Sequence, residues 1–205
     1  FLDGASGNDE YLGFYSFDKN PQAVNPPWGY VYSANNQPDS VKGVLYPGYY
    51  YPKARASRID ELLKEDRKWT VEDMKKMNLD VLSKPHREVA HVLATLLQEL
   101  DHSSYTEMAT VLAQWDGDHQ PDDIGPTVYY NLLSQLMFLT MKDELGDVAF
   151  KSIMETSVPK NSYENFIRNE QSPWWDDVTT VAKETRRDIV KYAAGNTLKI
   201  LHRTC

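Results

Sequence analysis

Apolar residues recur at helical spacing over most of the chain from residue 57 onward, and this restricts that part to a helical architecture. The clearest stretch is Val89-Ala-His-Val-Leu-Ala-Thr-Leu-Leu-Gln-Glu-Leu100, a strongly amphipathic helix whose His91 is a packed or surface histidine rather than a ligand. Gly125-Pro126 opens a longer one through Tyr129, Leu132, Leu133, Leu136, Met137, Leu139 and Met141, closed by Gly146. It is apolar on most sides, which predicts the buried centre of the helical part. Around these the periodicity predicts helices from Ser57, capped by Ser57 with Asp60 as its reciprocal acid, and from Thr70 with Asp73, running through Val81 to the break near Ser83-Lys-Pro85. Further helices are predicted over 105–115, 148–154, 162–168 and 181–201. Ser172-Pro-Trp-Trp-Asp-Asp177 reads as a loop whose adjacent tryptophans are half core and half cover.

Residues 1–56 are of another kind. Asp3-Gly-Ala-Ser-Gly7 and Asn20-Pro-Gln-Ala-Val-Asn-Pro-Pro27 forbid long regular elements. Between them, Tyr11-Leu-Gly-Phe-Tyr-Ser-Phe17 reads as an extended edge. Gly29-Tyr-Val-Tyr32 predicts a short strand, since β-formers follow a glycine and Asn35-Asn-Gln-Pro38 stops the run. The predicted fold class is therefore mainly α, bundle-like after residue 56, with a short β/loop portion before it. The two predicted parts are 1–56 and 57–205.

A chain of 205 residues buries a sizeable core, and its net charge of −8 argues against a nucleic-acid groove or an anionic membrane surface. No run of eighteen apolar residues crosses a membrane. The single cysteine, Cys205, cannot make an internal disulfide, and it reads as incidental or as a partner for something outside the chain. Asp116-Gly-Asp-His-Gln-Pro-Asp-Asp123 gathers four carboxylates and a histidine. The oxygen order and terminal Glu of a calcium-binding loop are absent, so it reads as a solvated acidic loop.

Two features of the first part bear on chemistry. Asn35 and Asn36 follow the predicted strand, and an exposed amide can donate to a carbonyl oxygen as it becomes tetrahedral. Asn-Asn-Gln-Pro is equally ordinary turn chemistry, because Asn tolerates left-handed backbone and Pro ends strands. Val44-Leu-Tyr-Pro-Gly-Tyr-Tyr-Tyr-Pro52 sets three tyrosines between prolines, and they cannot all face one way. They suit the wall of an apolar pocket, or a rigid surface loop packed on its own prolines.

Taken together, Asn25-Pro-Pro-Trp-Gly29, the Gly-initiated run ending in Asn-Asn-Gln-Pro, Arg55-Ala-Ser-Arg-Ile-Asp-Glu-Leu-Leu63, and Thr70-Val-Glu-Asp-Met74 with Asp80 resemble the penicillin acylase family. The likeness is strongest over about residues 12–82 and is carried further by Leu112-Ala-Gln-Trp-Asp-Gly117 and Ser172-Pro-Trp-Trp-Asp176. That family consists of N-terminal-nucleophile amide hydrolases, so the resemblance implies a parent αββα fold. It also implies that Asn35 is the oxyanion-stabilising residue and Arg55 the active-site arginine.

The family's nucleophile is a Ser, Cys or Thr that begins the β-chain, so that its own α-amine serves as base. Here Phe1 and Leu2 stand first, and the serine of Asp3-Gly-Ala-Ser-Gly7 has no free amine. The chain is accordingly expected to be an internal segment of an acylase β-chain, inactive alone, whose partners are the α-chain and the rest of the β-chain. Its expected substrate is a small acyl amide, and its expected compartment the periplasm or the exterior. Relatives hold a structural calcium through a carboxylate between the Asn and the Arg. Only Asp39 falls in that interval, early in it, so no cofactor or metal is assigned. The alternative is a non-catalytic helical interaction module or an inactive homologue.

Overall fold

The computed structural model describes residues 3–100 and 102–204; Phe1, Leu2 and Cys205 lie outside them. The chain divides into two units, Phe1–Lys68 and Trp69–Cys205.

The second unit is helical. Its elements are α2 (Val71–Asn78), α3 (Lys84–Gln98), α4 (Ser103–Gln114), α5 (Ile124–Met154), α6 (Val158–Arg168) and α7 (Arg186–Thr204); α1 (Ala54–Leu63) belongs to the first unit. The core forms where α3 packs on α4 and α5 packs on α7, with α6 alongside. Val89, Leu93 and Leu97 lie four residues apart on α3 and are all but inaccessible. They join Met108 and Leu112 of α4, Leu132, Leu136 and Met137 of α5, and Ile189, Val190, Ala193 and Ala194 of α7. The prediction that α5 is the buried centre holds. The threonine hydroxyls of Thr140 and Thr197 enter this core, and each donates 2.8 Å back to the carbonyl four residues earlier, to Leu136 and Ala193.

Helix boundaries follow local chemistry, with some corrections. Thr70 and Asp73 form the expected capping box on α2, but that helix stops at Asn78 rather than at Val81. α3 begins before Pro85, which occupies the first turn where its missing N–H is no loss. Gly146 breaks α5 as expected, with φ 69° and ψ 171°, yet the next helical turns continue directly to Met154. α7 starts five residues later than periodicity alone suggests. The 176–184 segment is held instead as a loop by side-chain bonds, among them Glu184 N–H to Asp176 Oδ1 and Asp177 N–H to Glu184 Oε2. Trp175 is buried, stacks on Phe166 at 4.3 Å and donates to the Asn169 carbonyl, while Trp174 is half-buried.

The first unit corrects two expectations. No strand pairs Tyr30–Tyr32: among the described residues the one β-type pairing is the isolated bridge Val41–Val44. A strand needs a partner ladder, and the run is bounded by left-handed residues on both sides, Gly29 (φ 81°) and Asn35 (φ 61°). Tyr11–Phe17 is likewise unpaired and largely exposed, ending in a 3-10 turn over Phe17–Lys19. At Val41–Val44 two bonds of 2.9 Å close a turn whose central residues, Lys42 (φ 48°) and Gly43 (φ 80°), both lie in the left-handed region that a tight hairpin demands. The Lys42 ammonium pairs with Asp18. α1 begins at Ala54, so Ser57 lies inside it instead of capping it. Lys53 stands at the N-cap with no side-chain bond.

Candidate functional site

The expected site residues both belong to the first unit. Asn35 sits at a left-handed bend just after buried Ala34, and its own side chain is exposed. Its carbonyl accepts the Tyr51 N–H at 2.8 Å, which folds the tyrosine-rich loop back against the bend. The neighbouring amide is committed to the turn: Asn36 Oδ1 accepts from Ala34 N–H, and its Nδ2 donates to the Gln37 carbonyl, both at 3.3 Å. Of the pair it is Asn35 whose amide is left to donate elsewhere.

The same fold-back carries the chain into α1. Four residues beyond Tyr51 is Arg55, exposed in the first turn of the helix rather than just before it. A cation there opposes the helix dipole, and no acidic residue in that turn offsets it. The helix is anchored one turn further on. Tyr30 Oη donates to Asp60 Oδ1 at 2.8 Å, and Lys64 Nζ lies 2.6 Å from Asp60 Oδ2. The Lys64 ammonium, followed by the Tyr30 hydroxyl, holds the Asp60 carboxyl below the usual carboxylate range. Tyr30 and Asp60 thus join the segment before Asn35 to the helix that bears Arg55.

The loop between them is fastened by Gln37 Nε2 to the Tyr46 carbonyl at 3.1 Å and by Tyr46 Oη to Asn20 Oδ1 at 2.9 Å. Tyr49 and Tyr51 are exposed, and Tyr50 is half-buried against Gly48. Asp39 is exposed. Among the described residues no group of three or more His, Cys, Asp or Glu side chains is placed to hold a metal ion.

A family model described as penicillin amidase matches residues 1–205. The chain belongs to the penicillin amidase family. It is also 30% identical over 118 residues to the penicillin acylase 2 proenzyme of Pseudomonas sp. (strain SE83). That matched stretch is 56% of this chain and 15% of the relative's length. No helix among the described residues is long and apolar enough to cross a membrane.

A second polar cluster, in the helical unit, escaped sequence reasoning: His86, His119 and Tyr130, packed by Tyr129, Tyr163 and Trp115. Sequence placed His119 in a solvated acidic loop, Tyr129 on an apolar face, and gave His86 no role. The loop is in fact ordered, with Trp115 Nε1 donating to the Asp118 carbonyl and His119 N–H to Asp118 Oδ1. His91, expected as a packed or surface histidine, is exposed, with Nε2 3.3 Å from the Trp115 carbonyl. The cluster's one sequence signal is Gly117. Its φ of 93° is paired with a Cβ direction that ends 2.5 Å from the Ser83 carbonyl oxygen, which marks two backbones in contact.

Proposed function

We propose that this chain is part of an acylase-like amide hydrolase that cleaves an acyl group from an amine, with Asn35 and Arg55 at its reacting centre. The match of the penicillin amidase family model to residues 1–205 carries this reading. A Ser, Cys or Thr at the N-terminus of a segment not included in these residues attacks the amide carbonyl, and its α-amine takes up the hydroxyl or thiol proton and returns it to the leaving amine. Negative charge then develops on the carbonyl oxygen. Asn35 Nδ2–H, exposed beside a bend that Tyr51 N–H fixes at 2.8 Å, is suited to donate to that oxygen. Arg55 adds positive potential without exchanging a proton, since a guanidinium does not titrate in this range.

The partners proposed are the remaining segments of the acylase. Tyr11, Leu12 and Phe14 are almost entirely exposed, as are the flanking Phe17 and Val24 to a large degree, and such a patch favours burial against further protein. The compartment proposed from the family is the periplasm or the exterior.

The test is Asn35→Ala in the protein assembled with its nucleophile segment, assayed by amine release from acyl amides. Loss of one oxyanion donor is expected to lower kcat by about 10² to 10³, with the circular dichroism spectrum unchanged. Turnover equal to the parent protein would remove the assignment.

A further inference from the structure

We propose that the hydrogen-bonded chain His119–Tyr130–His86 is an acid-sensitive latch, which fastens the 115–123 loop and the start of α3 to α5. His119 Nδ1 lies 2.9 Å from the Val81 carbonyl and 2.9 Å from the Gly117 carbonyl. Carbonyls only accept, so Nδ1 carries the hydrogen and Nε2 of the neutral ring is bare. Tyr130 Oη, 3.0 Å away, donates to that Nε2. The phenol's oxygen then accepts from His86 Nδ1 at 3.1 Å, which fixes the tautomer of His86 as well. Three side chains from three segments share one direction of donation.

That direction sets the response to acid. A first proton is accommodated on either ring: on His86 Nε2 it leaves the chain as it stands, and on His119 Nε2 it makes Tyr130 accept there and turn its own hydrogen to His86 Nδ1, while His86 moves its proton to Nε2. A second proton puts an N–H on both ring nitrogens that face the single hydroxyl, and sets two cations with ring centres 5.7 Å apart. The latch is closed with no proton or one and opens with two.

Titratable groups from the loop, α3, α5 and α6 surround the two rings. The loop contributes Asp118, whose carboxylate accepts the His119 backbone N–H at 2.8 Å, and Asp116, whose carboxylate accepts the Asp118 backbone N–H at 2.9 Å. Around His86 stand Tyr129 and Tyr130 from α5 and Tyr163 from α6, none of them charged at neutral pH. Glu164 of α6 acts on Tyr163 and Tyr129. On α3 itself, Arg87 passes against Gly117. Burial, and then the charge of His119, push the His86 imidazole down to about 4. The Tyr129 hydroxyl beside them is buried, and Tyr163 is close enough to perturb it.

The deciding experiment is long-range ¹H–¹⁵N correlation spectroscopy of the imidazoles in the full chain, titrated from pH 8 to 4, with backbone amide exchange followed over 117–120 in parallel. At pH 7.5 both His86 and His119 are expected in the Nδ1–H tautomer, the rarer form in free histidine. The second protonation is expected to require at least about tenfold more acid than the first, and exchange at 117–120, corrected for intrinsic rate, to rise at least about tenfold as it occurs. Tyr130→Phe is expected to leave two independent titrations. Either ring in the Nε2–H form at pH 7.5, or titrations identical in the parent and Tyr130→Phe, would overturn the latch. The tautomer result needs no variant and stands even if Tyr130→Phe does not fold.

Discussion

Gly125 is the second residue of α5, and replacing it with alanine tests how tightly that helix start is packed. A Cβ at this position falls 2.5 Å from both Cδ1 and Cγ of Trp115 and 2.9 Å from its Cβ. Ordinary contact begins near 3.4 Å, so the indole must retreat by about 1 Å in a densely packed interior. It has no free direction. Trp115 is 4% exposed, its Nε1 donates 2.6 Å to the Asp118 carbonyl, and its ring packs against Tyr129 and His119 at centroid distances of 5.2 and 5.1 Å. Overpacking of this kind costs about 1–3 kcal/mol. Alanine regains up to about 1 kcal/mol of helix propensity in a helix interior. Less is regained here, where the Gly125 N–H is bound by Asp123 Oδ1 rather than by a helical carbonyl. The net destabilisation of about 1–2 kcal/mol lowers Tm by about 2–8 °C for a unit of this size. Thermal denaturation followed by far-ultraviolet circular dichroism and tryptophan fluorescence measures it. The loss should shrink in a Trp115→Ala background, which removes two of the three crowded atoms. An unchanged or raised Tm for Gly125→Ala would refute the packing argument.

Two further outcomes follow from other parts of the helical unit. Thr70→Ala removes the acceptor for Asp73 N–H from the capping box of α2, a helix with no buried residue; the expected loss of about 1 kcal/mol appears as roughly fivefold faster amide exchange within Val71–Asn78, and global Tm is expected to stay put. Burial, followed by the neighbouring Asp143 carboxylate, raises Glu144 to about 7, so the native state binds its proton more tightly than the unfolded chain and stability falls as pH climbs from about 4.5 through 7. Glu144→Gln is expected to match the parent's Tm at pH 4.5 and exceed it at pH 8, and a difference that does not grow with pH would exclude this origin.

How much of this was legible depended on the range of the interactions involved. The helices of the second unit were, because Val89, Leu93 and Leu97 repeat at the period of a single turn, and the Thr70–Asp73 box closes over three residues. Their ends were less so. The late start of α7 depends on Glu184 reaching Asp177 and Asp176, a choice between helix and loop that periodicity does not register. The Tyr30–Tyr32 strand was mistaken for a related reason: β propensity describes residues that suit a ladder, and nothing local to the run supplies the partner. Asn35 is proposed from its setting between Gly29 and Arg55. Its left-handed φ of 61° also bears out the plainer turn chemistry read from the same residues.

The sequence by itself determined the helical class of the second part and the family resemblance. These are carried by residue type and short spacing, and need no knowledge of what lies across the fold. Tertiary structure alone decided that His119 meets Val81, 38 residues away, and that His86 meets Tyr130, 44 residues away. Both pairings depend on the backbone contact of Gly117 with Ser83 and on the packing of Trp115 over α5. Hydrogen bonds across such separations form only after the hydrophobic core has set the helices in place, and so they leave no periodic trace in the chain.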